Sequence, residues 1–233
     1  FSSLASLHPA PPYALAIAVA IILILFFGGP TLSSITLTGI LGGKSGLRRL
    51  LRSAFDQDVD VKWQLATLFI PWVIGLPILA INALLGGPAP PIFDPPEGLN
   101  WLEALLFLFA FFIAFAWTEE IGWRGFALPR LQAKRSALSA SIILGVIWGL
   151  WHLPDRLSSE DFSCINFVLF MIGIVAASIL FTWLYNNTKG SLSIAIMFHA
   201  AINTALFCMP VDSIEFYALT VALMWVVAIA VVR

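Results

Sequence analysis

Ala116-Trp117-Thr118-Glu119-Glu120-Ile121-Gly122-Trp123-Arg124-Gly125 closes a run, residues 101–116, whose one charged member is Glu103. Two adjacent carboxylates and an arginine four residues after the second therefore stand where hydrocarbon surroundings are expected. An ionisable group at membrane depth costs about 2.5 to 3.5 kcal/mol on insertion scales, so its presence points to function. The flanking run decides the fold class, and the charges inside it mark where chemistry is to be sought.

The rest of the chain has the same character. Of its 233 residues 60% are hydrophobic and 11% charged, with a mean hydropathy of +0.96, against about 45–50% apolar and about 25% charged in soluble domains. An all-α fold is expected, a polytopic transmembrane helical bundle forming one domain over residues 1–233, because no linker divides it. The net charge of −1 offers no basic surface for nucleic acid, so the partners expected are the lipid bilayer and a membrane-associated substrate. Cys164 and Cys208 lie in apolar surroundings without a C-x-x-C pattern and read as buried apolar residues.

Apolar runs predict spans over residues 13–41, 63–85, 101–128, 136–153, 162–185, 191–209 and 216–232. Residues 1–12, with His8, read as an approach to the membrane. Pro30 is expected to kink the first span, and Pro71 and Pro77 the second. Between these two spans, an amphipathic interfacial segment near residues 44–62 carries Lys44, Arg48, Arg49 and Arg52 with Leu47, Leu50, Leu51 and Phe55 at helical spacing. Arg130, Lys134, Arg135, Lys189 and Arg233 recur at alternate loops. Asp94, Glu97, Asp155, Glu160, Asp161, Asp212 and Glu215 occupy the others. The positive-inside rule then gives seven spans with the last residue cytoplasmic.

Three spans carry strongly polar interior groups: Glu119, Glu120 and Arg124 on the third, His152 at the end of the fourth, and His199 and Asn203 on the sixth. The last two are spaced i and i+4 and so share a helical face. No serine with a paired base and no thiol beside a histidine suggests a covalent nucleophile, which leaves water as the attacking group. A carboxylate such as Glu119 suits the role of general base, and His and Asn N–H groups suit stabilisation of an oxyanion. Hydrolysis of a peptide bond at or within the bilayer follows. Counting about 1.5 Å per residue from the basic ends, however, places His152 about 10 Å further out than Glu119. Either a span boundary shifts or the fourth span tilts strongly.

Glu119-Glu120-x-x-x-Arg124, an aromatic residue (Trp148) four before His152, and His199-x-x-x-Asn203 resemble the three motifs of the CPBP family of intramembrane proteases. That family includes the type II CAAX prenyl endopeptidases and bacterial peptide-processing relatives. The stretches around Gly46-Leu47-Arg48-Arg49, Gly122-Trp123-Arg124-Gly125 and Trp148-Gly149-Leu150-Trp151-His152 resemble bacterial and archaeal members, which implies a prokaryotic plasma membrane. The resemblance implies that Glu119 activates water, His152 helps to hold it, His199 and Asn203 form the oxyanion site, and Glu120 and Arg124 are supporting residues. Trp148 stands where the wider family often has Phe and keeps the aromatic wall. The substrate implied is a membrane-associated peptide or lipidated protein. Eight spans are common in the family, which implies a further helix before Phe1. No cofactor is expected under a glutamate mechanism; Glu119, His152 and His199 are the set that zinc would use instead. A secondary transporter would need matching interrupted helices in two halves, which the polar residues do not show. A non-proteolytic scaffold or immunity protein of the same fold is the other alternative.

Overall fold

In a computed structural model, the structure describes residues 12–55, 58–85, 95, 97–159, 162–209 and 213–232, and of residues 12–27 the backbone alone. His8, Asp94, Glu160, Asp161, Asp212 and Arg233 lie outside the described residues. Of the described residues 87% are helical. Its helices are α1 (Pro12–Ser53), α2 (Val61–Leu84), α3 (Trp101–Gly122), α4 (Leu128–Gln132), α5 (Ala137–Trp151), α6 (Leu153–Ser158), α7 (Cys164–Asn187), α8 (Leu192–Cys208) and α9 (Ile214–Val232). A π-helical turn, Trp123–Ala127, joins α3 to α4. Among the described residues, five helical segments are long and apolar enough to cross a membrane: Val61–Leu84, Trp101–Gln132, Ala137–Ser158, Cys164–Asn187 and Ile214–Val232. With α1 and the shorter apolar α8 they agree with the seven spans expected. The protein is an integral membrane protein.

Local chemistry sets the helix starts. Asn100 and Glu103 form a reciprocal capping box, with Asn100 N donating to Glu103 Oε2 at 2.9 Å and Glu103 N to Asn100 Oδ1 at 3.0 Å. The lone charge of the run that opens α3 is thereby a cap. Ser136, Ser163 and Ser191 cap α5, α7 and α8 in the same donor-satisfying way.

Three expectations change. The break in α1 falls at Gly43, whose φ of 57° and ψ of −160° suit glycine, while the helix passes through Pro30. The amphipathic segment is correspondingly shorter than residues 44–62: its helical part ends at Ser53, residues 58–60 are non-helical, and Val61 already begins α2, capped by Asp60. Accepting the Lys62 backbone N–H at 3.0 Å lowers the Asp60 pKa. Cys164 is also exposed and Cys208 only half-buried, so neither is the buried residue expected.

The bundle is held by close helix approaches and by large apolar residues turned outward to lipid, such as Phe107, Ile165 and Val226. A Cβ on Gly122 would come within 2.5 Å of the Pro30 backbone, so α1 and α3 touch there because both sides are small. Gly145 and Gly149 form a small-xxx-small face of α5 on which α7 packs. Ser178 Oγ on α7 donates to the Ser141 carbonyl of α5 at 2.9 Å, within the same contact. The core follows α7 and α8, and α8 is buried along most of Leu192–Ala205. His199 therefore sits on the helix that α2, α3 and α7 enclose.

Candidate active site

Glu119 and Glu120 leave α3 in different directions and find different partners. Glu120 is wholly buried. Its carboxylate accepts from Arg124 Nη1 at 2.8 and 3.0 Å, and His199 Nδ1 lies 2.7 Å from the same Oε1. Since a carboxylate only accepts, His199 Nδ1 carries the proton and its Nε2 is turned to other use. Arg124 is equally buried, and its guanidinium lies against the ring faces of Phe181, at 3.8 Å, and Trp148, at 4.3 Å. Its Nε and Nη2 have no hydrogen-bond partner, and the two π faces supply the attraction that compensates them.

Glu119 is half-buried, and both of its hydrogen bonds come from indoles. Trp148 Nε1 donates to Oε2 at 2.7 Å and Trp123 Nε1 to the same oxygen at 3.3 Å. Trp123 lies one turn along its own helix, at the start of the π-turn, and Trp151 backs it edge-on at 6.2 Å. Trp148 belongs to α5.

His152 caps the C-terminus of α5. Its Nδ1 lies 2.8 Å from the Trp148 carbonyl, an acceptor, so Nδ1 is the donor and Nε2 of the neutral ring is free to accept. The third helix runs on through the π-turn to Gln132 and α5 starts at Ala137, so the span boundaries stand close to those expected. Trp148, a turn earlier than His152, is the α5 side chain that meets Glu119.

A cavity of about 220 Å³ lies beside these groups. Trp148, His152, His199 and Asn203 supply its polar end, and Ile74, Ile78, Val221 and Met224 are among its apolar residues. Asn203 is half-buried and its amide has no hydrogen-bond partner among the described residues. Glu119 does not line this cavity; its link to it is the Trp148 indole. Trp148 thus joins every part of the site, with its ring edge-on to His152 at 5.9 Å, to His199 at 5.5 Å and to Phe181 at 5.5 Å. Among the described residues no group of three or more His, Cys, Asp or Glu side chains is placed to hold a metal ion.

Residues 100–205 match the family model described as type II CAAX prenyl endopeptidase Rce1-like. This stretch, under half of the chain, is similar to that family. It contains all seven residues singled out from the sequence. A curated relative, CAAX prenyl protease 2 of Methanococcus maripaludis, is 35% identical over 92 residues, which are 36% of this chain and 34% of that protein. The aligned part thus spans about a third of the relative's length. The family resemblance carried by the three motifs agrees with both matches.

Within the Rce1-like stretch, sequence reasoning passed over Trp123 as a site residue, although its i+4 spacing from Glu119 was the available signal. Phe181 was also missed, and nothing in the sequence of α7 distinguishes it from its apolar neighbours.

Proposed function

We propose that the protein is an intramembrane endopeptidase that hydrolyses a peptide bond in a membrane-associated peptide or lipidated protein. The observation that carries this is the polar end of the cavity, where His152, His199 and Asn203 converge inside otherwise apolar membrane helices beside a carboxylate with one unoccupied oxygen. The Rce1-like match and the name of the methanococcal relative support the reaction class.

Glu119 takes the proton of the attacking water. His152 Nε2 accepts from that water's second hydrogen and so orients it. The scissile carbonyl oxygen, as it becomes an oxyanion, is bound by the Asn203 amide and by His199 Nε2 in its imidazolium form. Glu120 Oε1 lies 2.7 Å from His199 Nδ1 and accepts its proton in a hydrogen bond. No step requires a metal ion, and turnover persists in the presence of a tight divalent chelator.

The cavity extends from this polar end along Ile74 and Ile78 of α2, Met209 beyond α8 and Tyr217 of α9, toward the helix ends that carry acidic rather than basic loops. With the basic segments and the last residue cytoplasmic, substrate reaches the site from the non-cytoplasmic half of the membrane, and its apolar part lies in this arm.

The test is Glu119→Gln, assayed on a membrane-presented peptide. Loss of a general base lowers turnover by about 10²–10⁴-fold. His199 is the rival base, because it lines the cavity, which Glu119 does not, and a carboxylate holds its Nδ1. Retained turnover in Glu119→Gln with loss in Glu120→Gln would assign the base to His199.

A further inference from the structure

The family resemblance gives Trp148 the place of an aromatic wall, a role that phenylalanine could fill. Its hydrogen bond makes it more than that. We infer that Trp148 and Trp123 form a two-indole clamp that fixes the rotamer of Glu119 and reserves Oε1 as the oxygen that takes the proton. This rests on Glu119 being the base.

Both donors reach the same oxygen, Oε2, and they come from different elements, α5 and the π-turn. Oε1 has no hydrogen bond among the described residues, so the two oxygens of one carboxylate are made unequal. A Glu side chain has three rotatable bonds, and a single contact would leave it free to swing about that contact. Two donors converging on one atom from separate helical segments remove that freedom and hold Oε1 in one place. Indole is suited to the task because it only donates and carries no charge. It stabilises the anion without neutralising it, whereas a guanidinium would hold the carboxylate as an inert ion pair, as Arg124 does for Glu120.

The support behind the clamp is visible in the packing. The Trp148 ring is fixed by Phe181, His152 and His199, and Trp123 by Trp151. A Cβ on Gly29 of α1 would come within 2.7 Å of the Trp151 ring, so the outermost member of this series is itself in close contact. The titratable groups that surround Glu119 are Glu120 and Arg124 on its own helix and π-turn, His152 at the end of α5 and His199 on α8. The α1 segment beside it contributes Pro30 and Thr31, which do not titrate.

Trp148 and Trp123 are positioning residues in this account, and the decisive variant preserves their shape. Benzothienylalanine, isosteric with tryptophan but lacking the N–H, is introduced at 148 or at 123, and kcat, KM and the pH dependence of kcat are measured. At 148 kcat falls by about tenfold or more while KM stays within about twofold. Losing a donor to the carboxylate disfavours its ionised form, so the acid limb of the profile moves to higher pH, by about one unit for a tenfold effect. At 123, where the bond is longer, both changes are smaller. Trp148→Phe shows the same limb shift, since the aromatic ring alone does not restore it. A benzothienylalanine-148 protein with the wild-type kcat and acid limb overturns the clamp, as does a fall in rate with no movement of the limb. Turnover in Glu119→Gln would overturn the base assignment instead, so the two failures are distinguishable.

Discussion

Glu119 and Glu120 share a peptide bond and almost nothing else. Glu120 is sealed from solvent and shared between a guanidinium and an imidazole. Glu119 is half-buried and held on one oxygen by two neutral donors. The cationic pairing makes a strong, fully committed carboxylate whose removal would strand Arg124 against two aromatic rings. The indole pairing leaves a carboxylate ordered yet still available to accept a proton. Identical side chains one residue apart thus acquire different partners from helix rotation, since consecutive residues point about 100° apart around the axis.

Neutralising each in turn separates the two roles. Glu119→Gln is expected to abolish most turnover, by about 10²–10⁴-fold, with the thermal midpoint in detergent close to wild type. Glu120→Gln is expected to act first on stability, by about 3–5 kcal/mol, because it leaves a buried guanidinium uncompensated; its thermal midpoint drops, and activity falls with it. Equal effects of the two substitutions on midpoint would contradict the division of roles.

Smaller changes test the frame that turns the helix correctly. Gly122→Ala pushes a Cβ into the Pro30 backbone at the level of the two carboxylates, an overpacking cost of about 1–3 kcal/mol, and lowers activity more than a comparable change remote from the site. Ser178→Ala removes one α5–α7 hydrogen bond and is expected to cost about 0.6 kcal/mol, with little effect on kcat, as read from the unfolding midpoint.

Much of the site was legible because charged and imidazole side chains are conspicuous in apolar helices. Glu119, Glu120, Arg124, His152, His199 and Asn203 could be picked out one by one, and the i+4 spacing of His199 and Asn203 places both on the cavity wall. The pairing among them was not legible. Glu120 meets His199 across 79 positions and Glu119 meets Trp148 across 29. The i+4 spacing of Glu120 and Arg124 permits their ion pair and says nothing of the imidazole. The break in α1 was misplaced for a related reason. Proline is a salient residue, but an apolar helix can carry it, whereas Gly43 adopts a backbone conformation that ends helical torsion outright.

By itself the sequence determined the solvent the chain folds in, the helical class, the approximate span boundaries and the inventory of ionisable groups. Each follows from composition and local spacing, because an apolar run in lipid must satisfy its own backbone hydrogen bonds as helix. Only the tertiary structure decided which carboxylate pairs with Arg124 and His199 and which with two indoles, that a tryptophan supplies a donor where an aromatic wall was expected, and where the cavity lies. Membrane helices that are apolar on every side carry no stripe to mark the face turned inward. Their rotation is set by close contacts such as Gly122 on Pro30 and Ser178 on Ser141, between residues far apart in the chain.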